Sequence, residues 1–147
     1  MSAVQSATAA RELRILVVDD HRDAADGLAR VLSLWGHQCQ CAYDASSAFE
    51  AALEQRPDVV LSDLSMPHVE GTGLARMIRQ EGHEPLPLLV AVTAHGDDDH
   101  RREAKAAGFD HFFVKPVETG ELRSVLDKYS AAAGTTAQPR AAHSDAG

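Results

Sequence analysis

Short apolar runs alternate along most of the chain with stretches of helical periodicity. A typical run is 15–18, four aliphatic residues followed at once by two acidic ones. Between the runs, apolar residues recur three and four positions apart, as on one face of a helix. The pattern therefore predicts five strands and five helices in alternation. The predicted strands are centred on 15–18, 39–43, 59–61, 86–92 and 111–114.

Capping residues support the predicted helices. Asp44 is a plausible N-cap, and the acidic run 97–99 lies where negative charge favours a helix N-terminus. Gly36 closes the first helix, and the fourth runs to Gly108. Alternating strands and helices predict a parallel sheet covered on both faces, with ligands at the carboxyl ends of its strands. The last helix carries the stripe Leu122, Val125, Leu126 and Tyr129.

The ends of the chain are poor in large apolar residues. Residues 1–11 hold only Val4 of this kind, and 130–147 contain no Leu, Ile, Val, Phe, Tyr or Trp. Such segments bury too little surface to offset the entropy lost on ordering. We therefore expect one folded domain at 12–129, between disordered tails at 1–11 and 130–147.

The overall charge narrows the classes of function. The chain has 22 acidic and 14 basic residues and a net charge of −8. This argues against direct binding of nucleic acids or anionic membranes, which requires clustered Lys and Arg. No apolar run reaches the roughly 18–20 residues of a membrane span, and residues 1–10 lack the features of a signal peptide. We expect a cytoplasmic protein without membrane insertion.

Polar residues end four of the five predicted strands. The first strand ends in Asp19 and Asp20, the third in Asp63, the fourth in Thr93 and the fifth in Lys115. In a parallel sheet these ends share one edge, so three carboxylates, a hydroxyl and an ammonium should meet there. Two carboxylates about 4 Å apart repel by roughly 4 kcal/mol at an effective dielectric near 20. Oxygen ligands of this kind select a hard cation, Mg²⁺ or alternatively Mn²⁺.

These side chains suit phosphoryl transfer. A carboxylate can act as a nucleophile and form an acyl phosphate. The reaction otherwise requires mainly positioning and neutralisation of charge. A bound cation and Lys115 would neutralise the developing negative charge, and the Thr93 hydroxyl could donate to another phosphoryl oxygen.

Four motifs in order make residues of about 13–129 resemble the response-regulator receiver family. They are the run 15–20, the block 63–67 with Gly71, the triplet 92–94, and Lys115-Pro116. Each motif alone is weak, but all four at these spacings are highly specific. The resemblance implies an α/β fold: a flavodoxin-like, doubly wound, five-stranded parallel sheet of order 2-1-3-4-5 with five helices.

The resemblance also implies a function. Asp63 would accept a phosphoryl group from a histidine kinase or histidine phosphotransfer protein. Asp20 and Asp63 would bind Mg²⁺ directly and Asp19 largely through water, with the Ser65 backbone carbonyl as the remaining protein ligand. The chain would be a signalling switch that catalyses only its own phosphorylation and dephosphorylation.

The switch itself would involve a second group of residues. By resemblance, Thr93 and Lys115 contact the phosphoryl group, and Thr93 and Phe112 form the switch pair. The Lys115-Pro116 bond would be cis, an isomer accessible mainly to proline. The fourth helix, fifth strand and fifth helix would then present the surface that binds an unidentified downstream protein.

Two residues near the pocket mouth could modulate hydrolysis of the acyl phosphate. Ser65 is small and would leave the approach of water open. His95 is bulky, and an unperturbed histidine titrates near 6.5. We hypothesise that His95 slows hydrolysis, and more so at about pH 6 than at about pH 8. The alternative is a solvated His95 without effect.

Other interpretations of the sequence remain open. A Mg²⁺-dependent hydrolase of the haloacid-dehalogenase type needs an Asp-x-Asp spacing, whereas Asp19 and Asp20 are adjacent. A degenerate receiver would lack part of the site, and a receiver module of a hybrid histidine kinase would share all of it. Cys39 and Cys41 suggest a metal pair, but small core residues are the favoured interpretation. The scattered His95, His100 and His111 are interpreted as solvated.

Overall fold

Strands and helices alternate throughout residues 12–64, 71–81 and 85–135, which this computed structural model describes. The five strands are β1 (Arg14–Val18), β2 (Gln38–Ala42), β3 (Val59–Asp63), β4 (Leu88–Thr93) and β5 (His111–Val114). The five helices are α1 (Arg22–Leu34), α2 (Ala45–Gln55), α3 (Gly71–Glu81), α4 (Asp98–Ala107) and α5 (Thr119–Thr135).

The strands form one parallel sheet of order β2-β1-β3-β4-β5. This confirms the predicted flavodoxin-like fold. The register pairs Val18 with Ser62, so the next residues, Asp19 and Asp63, leave β1 and β3 at the same level. The predicted polar strand ends therefore share one edge of the sheet.

Alternate residues of the strands supply the core of residues 13–117. Leu16, Val60 and Leu89 belong to a buried cluster that includes small residues of α2 and α4, such as Ala48 and Ala104. Side chains of the intervening positions point to the opposite face. Because residues of both sets are buried, the strands are apolar on both faces, as expected for a parallel sheet.

The chain divides into two compact units, one of residues 13–117 and a second whose described residues are 12 and 118–135. The described part of the second unit is essentially α5. Its N-terminus is capped by Glu118, whose carboxylate accepts from the Glu121 backbone N–H at 2.9 Å. Leu122 and Leu126 of the predicted stripe are fully buried.

Helix α5 extends into the segment interpreted from the sequence as a C-terminal tail. It ends at Thr135, beyond the expected domain boundary at 129, and Ser130 is buried. The run 131–133 consists of alanine, the strongest helix former, so the helix can continue without large apolar residues. The predicted tail residues 1–11 and 136–147 lie outside the described residues.

Strand β4 begins at Leu88 rather than at the predicted Leu86. Pro87 has no N–H and cannot donate within a sheet. The Leu88 N–H donates to the Asp58 carbonyl at 2.9 Å, and regular pairing continues from there.

The predicted helix caps are present. The Asp44 carboxylate accepts from the Ser47 N–H at 2.7 Å, and Asp97 is the N-cap of α4. Gly108 ends α4 with a left-handed φ of 112°, which glycine adopts without steric cost.

Candidate functional site

Three carboxylates meet at the carboxyl edge of the sheet. Asp19 and Asp20 directly follow β1, and Asp63 is the last residue of β3. Each offers a carboxylate oxygen within 4.8 Å of the other two. Asp19 is buried, the Asp63 side chain is 12% exposed and Asp20 is exposed. The three aspartates predicted from the sequence therefore lie together at this edge of the sheet.

Lys115 reaches this trio from the end of β5. Its Nζ lies 2.9 Å from Asp19 Oδ2 and 3.4 Å from Asp63 Oδ2. Partial burial lowers the pKa of Lys115, but the hydrogen bond to Asp19 and the charge of Asp63 outweigh it, so the pKa is raised above 10.5. The ammonium is therefore charged at neutral pH and neutralises one of the three negative charges.

The remaining charge suits a divalent cation. Lys115 pairs with Asp19 and Asp63, and within the described ranges no ion pair involves Asp20. The donors are all oxygens, the ligand type that Mg²⁺ and Mn²⁺ prefer. The donor set thus fits the predicted ion. Ser65, whose carbonyl was expected to complete the site, lies outside the described residues.

Thr93 ends β4 beside the carboxylates and is fully buried. Its hydroxyl oxygen accepts from the His95 N–H at 3.1 Å. Its backbone carbonyl accepts from the Lys115 N–H at 2.7 Å. Thr93 and Lys115 are therefore tied together through the backbone, and the peptide bond between Lys115 and Pro116 is cis.

The His95 ring stacks on another histidine. The ring centroids of His95 and His100 lie 4.8 Å apart, with an interplanar angle of 17°. The His100 Nδ1 lies 2.6 Å from an Asp97 carboxylate oxygen. The interpretation of His95 and His100 as scattered solvated residues missed this pairing, because only the turn into α4 brings them together.

Phe112 lies on β5 opposite Ala91 and packs, half-buried, against the core cluster. The Arg101 guanidinium carbon lies over its ring, 4.6 Å from the centroid. Arg101 also donates from Nε to the Gly96 carbonyl at 3.3 Å. Arg101 could not be predicted from the sequence, since no periodicity along the chain links a residue of α4 to β5.

The two cysteines are half-buried on β2. The Cys41 thiol contacts the Ala25 carbonyl at 3.6 Å, and burial is the main cause that raises its pKa to about 11. A thiol that stays protonated is a poor metal ligand. Among the described residues, the aspartate trio is the only cluster of three or more potential metal ligands.

The model of the response regulator receiver domain family matches residues 15–127. The chain belongs to this family. A relative, the response regulator MprA of Mycobacterium ulcerans, is 37% identical over 110 residues, which cover 75% of this chain and 47% of that protein. This receiver domain thus spans about half the length of the curated relatives it matches.

Solved structures agree with the fold. The response regulator receiver protein from Pseudomonas putida has a TM-score of 0.74 and 28% identity, over 81% of this chain and 98% of that one. The Vibrio cholerae chemotaxis protein CheY4 has a TM-score of 0.75 over 81% and 99%, and at 24% identity it supports the fold alone.

The family membership defines the general function. This chain is a receiver domain of a response regulator, and such domains are signalling switches that interact with histidine kinases and downstream effectors. Receiver domains bind Mg²⁺ at a cluster of aspartates, and the trio forms such a cluster here. None of the described helices has the length and hydrophobicity needed to cross a bilayer.

We expect Lys115→Met to lower the melting temperature in the presence of a chelator. The variant loses the ammonium that separates Asp19 from Asp63 but retains most of the apolar stem. Charged hydrogen bonds of this partly exposed kind contribute about 1–2 kcal/mol after screening. Millimolar Mg²⁺ should reduce the difference, because the cation replaces the lost positive charge. Thermal unfolding followed by circular dichroism measures both effects.

The pH dependence of this difference provides a control. The pKa of Lys115 is raised in the folded state, so its stabilisation is fully present below 10.5 and is lost as pH rises through the folded value. The parent and Lys115→Met should therefore differ by a constant amount near neutrality and converge in strong alkali. Equal melting temperatures near neutrality would contradict the assigned ion pairs.

Proposed function

We propose that Asp63 is the phosphorylation site of this receiver. It accepts a phosphoryl group from a histidine kinase or histidine phosphotransfer protein in a Mg²⁺-dependent reaction. The observation that carries the proposal is the cluster of three carboxylates within 4.8 Å, two of them bridged by Lys115. This arrangement concentrates negative charge where a cation and a phosphoryl group can share it.

Of the three carboxylates, Asp63 is the one best placed in the sheet to act as nucleophile. Asp19 uses both oxygens, one for the His21 N–H at 2.9 Å and one for Lys115. Asp20 lies on the exposed side of the trio. Asp63 ends β3, the central strand of the sheet, with Thr93 on the neighbouring strand β4. A phosphoryl group on Asp63 is therefore well placed for contacts from both Thr93 and Lys115.

The reaction transfers one phosphoryl group. An Asp63 carboxylate oxygen attacks the phosphorus of a phosphohistidine, the P–N bond breaks, and the departing imidazole takes up a proton. Lys115 balances charge on the phosphoryl oxygens, and the Thr93 hydroxyl donates to one of them. Hydrolysis of the acyl phosphate ends the signal. Water attacks the phosphorus, inorganic phosphate leaves and the carboxylate is restored. The receiver thus acts chemically only on itself.

A divalent cation belongs to this site in the proposed function. Asp20 and Asp63 would hold Mg²⁺, or alternatively Mn²⁺, directly, and Asp19 would act on it through water. When bound, the ion neutralises charge that develops on the transferring group. Asp19 also holds Lys115 in place, which orients the ammonium toward Asp63.

Phosphorylation then changes the binding surface. Thr93 moves onto the phosphoryl group, the Phe112 ring turns inward, and the face formed by α4 and β5 is altered for a downstream protein. The two buried residues of α4 are both alanines, Ala104 and Ala107, so the helix can shift with little loss of packing. We place this activity in the cytoplasm and assign no direct binding of nucleic acid.

The proposal is tested with the intact chain, phosphoramidate and Mg²⁺. A phosphate-affinity gel should show one slower band, and the intact mass should increase by one phosphoryl group. Omission of Mg²⁺ should abolish the change, and an unaltered mass with Mg²⁺ would overturn the proposal. Continuous release of phosphate from many substrate molecules would instead favour a hydrolase.

His95 is expected to slow the loss of phosphate. The His95 ring stacks on His100. The charged form of an imidazole at this position would be attracted to the phosphoryl group and would block the approach of water, and an ordinary imidazole takes up a proton near 6.5. His95→Ala should then accelerate dephosphorylation at about pH 6 by about twofold, equivalent to about 0.4 kcal/mol. The effect should be smaller at about pH 8. His111→Ala, which alters an exposed histidine on β5, is the control. Equal rates for His95→Ala and parent would make His95 a solvated residue.

A further inference from the structure

The Arg101 side chain joins two parts of the receiver that follow different strands. It projects from the first turns of α4, and its guanidinium covers the Phe112 ring of β5 at 4.6 Å. Its Nε simultaneously donates to the carbonyl of Gly96, in the loop between β4 and α4. One side chain therefore contacts both the loop that follows Thr93 and the ring of the proposed switch.

The loop that bears Gly96 is closely packed on β5. A Cβ atom added at Gly96 would lie 2.7 Å from the Val114 Cγ2, so only glycine permits this approach. The preceding His95 N–H donates to the Thr93 hydroxyl oxygen. Movement of the Thr93 side chain toward Asp63 consequently disturbs the loop, and with it the Gly96 carbonyl that holds Arg101.

The contact between the Arg101 guanidinium and the Phe112 ring depends on the orientation of the ring. Arg101 is exposed, whereas Phe112 is half-buried beneath it. A ring that turns into the sheet, toward Thr93, moves away from an exposed guanidinium that the Gly96 carbonyl holds in place. The attraction between the cation and the face of the ring is then lost.

We propose that Arg101 is a positioning residue that couples the loop after Thr93 to the ring of Phe112 and opposes the inward turn of that ring. This inference rests on the proposed function, because it takes Thr93 and Phe112 as the switch pair. An exposed contact between a cation and an aromatic ring corresponds to about a two- to fivefold change in the ratio of inward to outward ring. Arg101 thereby sets how much of the unphosphorylated protein already has the ring turned inward.

The neighbouring Arg102 provides a matched control. It is exposed on the same helix and forms an ion pair with Asp99. Arg102→Ala removes the same charge and the same helical side chain as Arg101→Ala. Among the described contacts, only the Arg101 guanidinium lies over the Phe112 ring. A difference between the two variants therefore reports on the ring contact rather than on net charge or helix propensity.

The test places one fluorine on the ring. 4-Fluorophenylalanine is incorporated site-specifically at 112 in the full chain, and its ¹⁹F shift is recorded with and without beryllium fluoride and Mg²⁺. Arg101→Ala should move the free-protein signal toward that of the beryllium fluoride complex, with a two- to fivefold higher ratio of inward to outward ring. Arg101→Lys keeps a cation near the ring, so its signal should lie at least halfway back from that of Arg101→Ala to that of the parent. The signal of Arg102→Ala should match that of the parent.

Linkage supplies a second measurement. If the inward ring and the phosphoryl mimic favour each other, Arg101→Ala should also bind beryllium fluoride more tightly, by at most the same two- to fivefold. Arg101→Gln, which keeps the length and a hydrogen-bond donor without the charge, should resemble Arg101→Ala. Thermal unfolding of each variant separates this effect from loss of structure.

The outcomes separate the two proposals. If beryllium fluoride shifts the parent signal but Arg101→Ala, Arg101→Gln and Arg102→Ala all match the parent, the role of Arg101 is overturned and the proposed function stands. The role is also overturned if Arg101→Lys behaves like Arg101→Ala. If the parent neither responds to beryllium fluoride nor accepts phosphate from phosphoramidate, the proposed function fails, and the coupling by Arg101 fails with it.

Discussion

Asp63→Asn should reduce the incorporation of phosphate from phosphoramidate to background. The amide has nearly the shape of the carboxylate but is not a nucleophile, so the reaction should slow by a factor on the order of a hundred or more. The side chain is only 12% exposed and ends a central strand, so an isosteric change should leave the fold intact. Phosphate-affinity gels and intact mass at fixed times measure the loss.

Controls must separate the nucleophile from the metal ligands, because all three aspartates lie in one cluster. Asp23→Asn removes an acidic side chain from the first turn of α1, outside the trio, and this variant should react like the parent. Asp20→Asn should lose rate through weaker cation binding and recover partly at high Mg²⁺, whereas Asp63→Asn should not recover. Peptide mass mapping after phosphorylation should locate the added group on 63. Its appearance on Asp20 in the parent would refute the assignment.

Asp20→Asn should weaken Mg²⁺ binding on the order of tenfold or more, equivalent to about 1.4 kcal/mol. Mg²⁺ retains several waters and depends on few carboxylates, so the loss of one direct ligand is costly. The side chain is exposed and forms no ion pair with Lys115 among the described contacts, so its replacement disturbs little else. Calorimetric titration with Mg²⁺ measures the affinity, and an unchanged value would remove Asp20 from the site.

The stability of the metal-free protein should change in opposite directions for Asp19 and Asp20. Asp20→Asn removes one of the mutually repelling charges, a repulsion of about 1 kcal/mol for two charges about 4 Å apart in water, and should raise the melting temperature slightly. Asp19→Asn instead weakens the ion pair between the buried Asp19 carboxylate and the Lys115 Nζ, 2.9 Å apart, and should lower the melting temperature. Parallel changes in chelator would mean that the two carboxylates have equivalent surroundings.

A cation should reverse part of this pattern. Because Mg²⁺ binds only the folded state, it should raise the melting temperature of the parent in proportion to its affinity. Asp20→Asn should show little of this increase. The Asp20→Asn variant is thus expected to be the more stable protein in chelator and the less stable one at high Mg²⁺.

The fold class and the members of the aspartate trio could be predicted from the sequence alone. Apolar runs such as 15–18 and 59–61 are too short for helices and are followed by helical periodicity, which leaves a parallel sheet as the simplest arrangement. In such a sheet every strand points the same way, so the residues after the strands must share an edge. Asp19, Asp63 and Lys115 could therefore be grouped without coordinates.

The ends of the elements were less predictable. The start of β4 at Leu88 depends on its first partner, the Asp58 carbonyl, which directly precedes the neighbouring strand β3. The extension of α5 to Thr135 depends on local helix propensity outweighing the lack of large apolar residues. Both element ends depend on small differences in free energy, which the pattern of apolar residues does not predict.

The contacts among the grouped side chains, in contrast, could not be predicted without the three-dimensional structure. Lys115 bonds to Asp19 and Asp63 but not to Asp20, because the register of β1 and β3 sets Asp19 level with Asp63. The position of Arg101 over Phe112 follows from how α4 crosses β5. Such contacts join residues of separate elements, and their distances depend on packing and strand register. Periodicity along the chain specifies which face or edge a residue occupies, whereas packing specifies its neighbours there.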